Sequence, residues 1–203
     1  HAGPNGGAGW YWHIASNMFA LWMFGMPIER TMGAKRFLNY YLLCGLGAAA
    51  LQMGVSYYET QAAVSAVEAT GATVGDVQRM VEASHASTDD ANMVLNDIAR
   101  QHPGSEAAVQ ALFWDYNGVM IGASGAIFGI LIAFGMLFPN VELMLLFLPI
   151  PIKAKYFVAL YGLWELYSGV RQQAGDNVAH YAHLGGLIFG FFLIRYWRRK
   201  GVL

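Results

Sequence analysis

Apolar residues in this chain do not alternate with polar ones; they come in long runs. Five runs stand out, at 13–28, 37–56, 117–138, 154–170 and 178–197. Each approaches the roughly 20 residues that an α-helix needs to cross a bilayer. The first and fourth are short, so tilt or local thinning must absorb the mismatch. Residues 57–116 differ: they are Ala-rich and polar, with Val77, Met80, Val81 and then Val94, Leu95, Ile98 recurring at helical spacing. That pattern predicts two or three short amphipathic helices outside the hydrocarbon, broken at Pro103-Gly104. The stretch 139–152 is too short and too Pro-ended to span, and is expected along the membrane interface. The prediction is an all-α polytopic membrane protein: one membrane domain over 1–203, five spans, and an extracytoplasmic helical insert at 57–116.

Composition agrees. Of 203 residues, 56% are apolar and only 12% charged, against about 25% charged in soluble domains. The 24 glycines sit largely inside the apolar runs, where Gly lets membrane helices approach closely. A net charge of −1 gives no basic field for nucleic acid, and a single cysteine, Cys44, excludes an internal disulfide framework. Cys44 reads as a buried structural thiol.

Charge placement sets orientation. Nine of the 12 Lys and Arg residues fall in three places, Arg30–Arg36, Lys153–Lys155 and Arg195–Lys200. These are alternate loops plus the C-terminus, so the positive-inside rule makes that side cytoplasmic. The insert, with nine acidic and two basic residues, and the loop 171–177 are then external, as is His1. An odd number of spans with an external start predicts a further helix upstream of His1.

Polar groups in membrane helices are costly and mark interiors or wet cavities. With this topology His13 and Asn17, i and i+4 on one face, lie in the outer turns of the first run. Ser124 lies about two turns from the outer end of 117–138, and His180 and His183 lie in the outer third of the last. One stratum thus holds a nucleophile, a base and donors for a developing oxyanion. A serine hydroxyl needs a neighbouring base, and imidazole suits that task. Gly125–Gly129 and Gly186–Gly190 are small-xxx-small stripes that would draw Ser124 within hydrogen-bonding reach of His183. No Asp or Glu is well placed as a third member, so the expectation is a dyad. His180 is read as structural, Glu165 is assigned no chemistry, and His85 and His102 are read as solvated. Taken singly, each signal has a plainer reading in helix packing; the argument lies in their sharing one depth.

These residues carry a resemblance. His13-Ile-Ala-Ser-Asn17, Gly122-Ala-Ser124-Gly125 and His183-Leu-Gly-Gly186-Leu-Ile-Phe-Gly190 together resemble the rhomboid intramembrane serine proteases. The resemblance implies a rhomboid-like helical bundle with Ser124 as nucleophile and His183 as general base. It also implies His13, Asn17 and the Ser124 backbone N–H as oxyanion donors, no metal or organic cofactor, and single-pass transmembrane substrates cut near the outer face. Gly122, Gly125, Gly186 and Gly190 support the site. Phe128 stands where many members carry a Tyr that stacks on the histidine. A bacterial inner membrane is the expected location. Two other functions compete: a rhomboid-like pseudoprotease that binds membrane helices, which usually lacks the dyad, and a proton path through His13, His180 and His183. The second needs polar residues through the full depth, yet 19–28, 130–138 and 187–194 are almost wholly apolar.

Overall fold

The computed structural model describes residues 6–117, 123–145, 148–171 and 180–203. The helices in chain order are α1 (Gly6–Ala20), α2 (Met26–Met32), α3 (Ala34–Ala69), α4 (Val74–Ala86), α5 (Thr88–Gln101), α6 (Glu106–Asn117), α7 (Ser124–Leu137), α8 (Ala154–Arg171) and α9 (His180–Arg199). A wider π-turn, Leu21–Gly25, joins α1 to α2. Among the described residues the fold is all-α apart from one antiparallel strand pair, β1 (Glu142–Leu145) and β2 (Leu148–Lys153).

Two compact units emerge, residues 1–52 with 121–203, and residues 53–120. In the first, apolar side chains from α2, α3, α7, α8 and α9 meet in one cluster that includes Ile28, Tyr40, Cys44, Phe128, Ile130, Val158 and Ile194. The outward faces of its helices are also apolar: Leu46 is 68% exposed, Leu163 62% and Phe192 63%. Soluble monomers rarely expose so many large apolar side chains; a lipid surround accommodates them. Since lipid tails are as apolar as Leu, association of these helices depends on close packing.

Glycine supplies that packing where α7 meets α9 and α3. A Cβ at Gly186 would collide with the Gly125 carbonyl oxygen, and one at Gly129 would sit 2.5 Å from the Cys44 Cβ. The buried Tyr40 hydroxyl donates to the Gly129 carbonyl at 2.7 Å, tying α3 to α7. On the first turn of α9 the Ala182 N–H, one of the four that a helix leaves without an internal partner, donates to Gln52 Oε1 at 3.0 Å. Gly33 turns the chain between α2 and α3 at φ 83°, a left-handed conformation that a side chain would strain.

The second unit is built differently. Val67, Val77, Met80, Leu95, Ile98, Val109 and Leu112 bury into their own core, while the polar faces of α4 and α5 stay outside. Thr73 opens α4 with a capping box: its hydroxyl accepts from the Asp76 N–H, and the Asp76 carboxylate accepts from the Thr73 N–H. Burial works to raise the Asp76 carboxyl. The Arg79 hydrogen bond, the two Thr73 donors and the Arg79 charge outweigh it and hold the group below its ordinary value of 3.8.

The structure refines three sequence expectations. The second apolar run does not end as a helix at 56 but continues unbroken to Ala69, because no Gly-Pro or Asx break intervenes. The stretch 139–152, for which the sequence predicts no spanning helix, carries paired strands; pairing lets backbone N–H and C=O groups satisfy one another where a Pro-containing helix would leave gaps. The third run, expected from 117, is described as helix from Ser124; residues 118–122, including Gly122, lie outside the described residues, as do His1 and the 172–177 part of the predicted external loop.

Candidate active site

Ser124 is the first residue of α7, not a residue two turns inside a helix, and Ala123 caps it with no side-chain hydrogen bond. The backbone N–H groups of the first turn of a helix have no internal acceptor and carry the positive end of its dipole. A developing anion beside Ser124 therefore meets donors already in place. The side chain is buried, at 7% exposed.

Phe128 follows Ser124 by four residues, one turn along the same face of α7. Its ring lies flat on the His183 imidazole, with centroids 4.1 Å apart and planes 11° from parallel. The face of α7 that carries Ser124 is thus the face turned to His183. Gly125 and Gly186 make this possible: neither has space for a Cβ, Gly125 being held against Ala48 and the Ala182 carbonyl, and Gly190 against Tyr40, Ile132 and Gly129. Among the described residues, no direct hydrogen bond joins the Ser124 hydroxyl to His183. In free enzymes such bonds are often long, tightening only with substrate.

The edge of the His183 ring holds the feature that sequence reasoning missed. Nδ1 of His183 lies 2.9 Å from Oε2 of Glu165 on α8, and Nδ1 of His180 lies 2.6 Å from the same oxygen. Glu165 is 3% exposed. With the carboxylate accepting from both Nδ1–H groups, the His183 Nε2 is left as a bare base, the tautomer that can take a proton. A third group is therefore present at the histidine, and the expectation of a bare dyad gives way to a Glu165–His183 pair beside Ser124. The cost of a carboxylate in an apolar helix already marks Glu165 in the sequence as a group that faces water or bonds a neighbouring helix; which side chains it meets is what the sequence leaves open. Tyr161, one turn before Glu165, packs its ring on Phe128 with centroids 5.0 Å apart.

His13 and Asn17 share a face of α1, His13 exposed and Asn17 half-buried; neither is brought into contact with Ser124 or His183 among the described interactions. His180 takes part in the Glu165 cluster. Of the insert histidines, His85 is exposed and His102 half-buried, not solvated throughout.

Residues 8–86 and 105–200 match the Rhomboid domain. The chain is 23% identical over 180 residues to Rhomboid protein 1, mitochondrial, of Saccharomyces cerevisiae, a stretch covering 89% of this chain and 36% of that protein. The chain thus spans about a third of that relative's length (36%). No solved structure matches it.

Proposed function

The chain belongs to the rhomboid family, and from that premise we propose that it is an intramembrane serine endopeptidase cutting single-pass transmembrane proteins near the outer membrane face. The observation that carries this reading is the His183 ring, stacked on Phe128 and bonded at its edge to Glu165, beside a serine at a helix N-terminus. Ser124 Oγ attacks the scissile carbonyl carbon while its proton passes to His183 Nε2. Glu165 keeps Nδ1 protonated, fixes the ring and stabilises the imidazolium, as a positioning residue. The carbonyl oxygen becomes an oxyanion facing the Ser124 N–H, with His13 and Asn17 as further donors once substrate is bound. Collapse expels the new amine, which takes the proton from Nε2, and leaves an acyl-enzyme that water hydrolyses by the reverse sequence.

The base contributes about 10²–10⁴-fold and each oxyanion donor about 10²–10³-fold. A substrate helix hides its carbonyls in hydrogen bonds, so it must unwind locally before attack. Segments with small residues and weak helix propensity are the expected cleavage sites. In this reading residues 57–116 are an extracytoplasmic insert on a single membrane domain, and the basic clusters at Arg30–Arg36, Lys153–Lys155 and Arg195–Lys200 face the cytoplasm of a bacterial cell whose inner membrane holds the chain.

A second reading, a pseudoprotease that binds membrane helices without cutting, is favoured by the lack of a direct Ser124–His183 hydrogen bond. One assay separates the two. The protein in liposomes is mixed with a single-pass reporter, beside Ser124→Ala and His183→Ala. The protease reading expects cleavage by the unaltered chain alone; binding without cleavage, or equal cleavage by the variants, overturns it.

A further inference from the structure

Glu165, His180 and His183 bring three metal-ligating atoms, one carboxylate oxygen and two Nδ1 nitrogens, within 4.8 Å of one another. We propose that this cluster is an inhibitory site for Zn²⁺ or a similar borderline divalent cation, which switches off the His183 base. The inhibition rests on the protease reading; the site itself does not.

Three features support a cation site. The donor set is mixed N/O with two imidazoles, the type that suits zinc and similar transition metals. His180 and His183 stand i, i+3 on α9, a spacing that places two ligands on one helix face, and Glu165 comes from the facing helix α8. Ligands at about 2.0–2.1 Å around a tetrahedral ion lie roughly 3.3–3.4 Å apart. To reach that spacing the 2.6 and 2.9 Å separations at Glu165 open by about 0.4–0.8 Å, and the three ligand atoms, now within 4.8 Å of one another, draw round the ion through a carboxylate rotation and small side-chain shifts. The cation would take the place of the two protons now held between the nitrogens and Oε2. Three protein ligands leave a fourth position for water, as in open zinc sites.

The consequence for His183 is a change of tautomer. A metal on Nδ1 takes the lone pair that a proton now occupies, and that proton is transferred through water to Nε2. The imidazole stays neutral and no proton is lost overall, but Nε2 has become an N–H. It can donate a hydrogen bond to Ser124 and can no longer accept its proton. Glu165, now a ligand, is also withdrawn from its place as acceptor.

The test has two readouts on the full chain, purified metal-free. The first is binding: zinc bound per chain after buffer exchange, and affinity by competition with a chromophoric chelator, with Mg²⁺ and Ca²⁺ as controls. The expected result is one zinc per chain, with His180→Ala weakening affinity at least ~10-fold, since loss of even an outer partner of a ligand costs about 10–100-fold. Glu165→Gln should act likewise; His180→Gln guards against a misfolded variant, and each variant's melting temperature is compared with and without zinc, because a bound ion raises it. The second readout is reporter cleavage in liposomes, each variant scored against its own metal-free rate. Zinc should inhibit the unaltered chain and inhibit His180→Ala only at ~10-fold higher concentration. No zinc bound, equal affinity in the variants, or saturation without inhibition would each overturn the proposal. One zinc held by these residues in a chain that cuts nothing even when metal-free would instead sink the protease reading and leave the cation site standing.

Discussion

His183 and Glu165, on neighbouring helices, share a 2.9 Å contact from Nδ1 to Oε2, and it fixes which nitrogen of the ring is left to act. In the soluble serine proteases, swapping the triad carboxylate for its amide leaves the geometry intact and lowers kcat about 10⁴-fold through the wrong tautomer. Glu165→Gln should therefore lower kcat on the order of 100-fold or more, with KM little changed, and Glu165→Asp should recover part of the loss. A purely structural role would instead lower the amount of folded protein and leave the kcat of the remainder intact.

Phe128 covers one face of the same ring, while Glu165 bonds its edge at Nδ1. Aromatic pairs contribute about 0.5–1.5 kcal/mol beyond burial, so loss of the stack should slow cleavage by roughly 2–12-fold once corrected for folded protein. Phe128→Tyr keeps the stack and should stay within about 2-fold of the unaltered chain, whereas Phe128→Leu should show the full loss. Reporter cleavage per folded molecule is the measurement.

Gly186 has no room for a methyl group, since its Cβ would collide with the Gly125 carbonyl. Gly186→Ala forces α7 and α9 apart and should destabilise by about 1–3 kcal/mol, the usual range for overpacking. Gly54, also helical, has nothing within 4 Å of a built Cβ. Gly54→Ala should be neutral or stabilising by roughly 0.5–1 kcal/mol. Thermal unfolding in micelles separates the two.

The capping box of α4 makes a pH prediction independent of activity. Asp76 is held below its ordinary 3.8, so its folded-state carboxylate binds its proton less readily than the unfolded one. Its stabilisation is fully present above about pH 4 and fades as pH falls through the depressed folded value. Thr73→Ala should cost about 0.5–2 kcal/mol at pH 7, read from faster amide exchange in α4. The stability gap between Asp76→Asn and the unaltered chain should narrow between pH 5 and pH 3; a gap that widens would contradict the cap.

What could be read in advance follows from which forces act locally. The apolar runs overlap α1–α2, the first part of α3, and α7, α8 and α9, because apolar periodicity and length are local properties of the chain; of these, α3 is long and apolar enough by itself to cross a membrane. The insert helices α4 and α5 showed in the spacing of Val77, Met80, Val94 and Ile98. The pairing of β1 and β2 left no comparable trace, since its Leu- and Pro-containing strands depend on each other and not on any local period. Ser124 and His183 were visible as polar groups at one depth. Glu165 was visible too, but helical periodicity does not say which neighbour a face meets, and only packing brings α8 against α9 with the carboxylate between two histidines. The start of α7 at Ser124 was hidden for a similar reason: Gly122-Ala-Ser-Gly carries no strong cap, so the boundary is set by tertiary context.

The central claim is that His183 makes the Ser124 hydroxyl a nucleophile, and covalent labelling tests it without any knowledge of the natural substrate. An activated serine is phosphonylated by a fluorophosphonate, an ordinary one is not. The protein in liposomes should gain one adduct in intact mass, mapped to Ser124, absent in Ser124→Ala and slowed at least ~100-fold in His183→Ala. An adduct on another residue, or labelling of Ser124 at an unchanged rate without His183, would contradict the account.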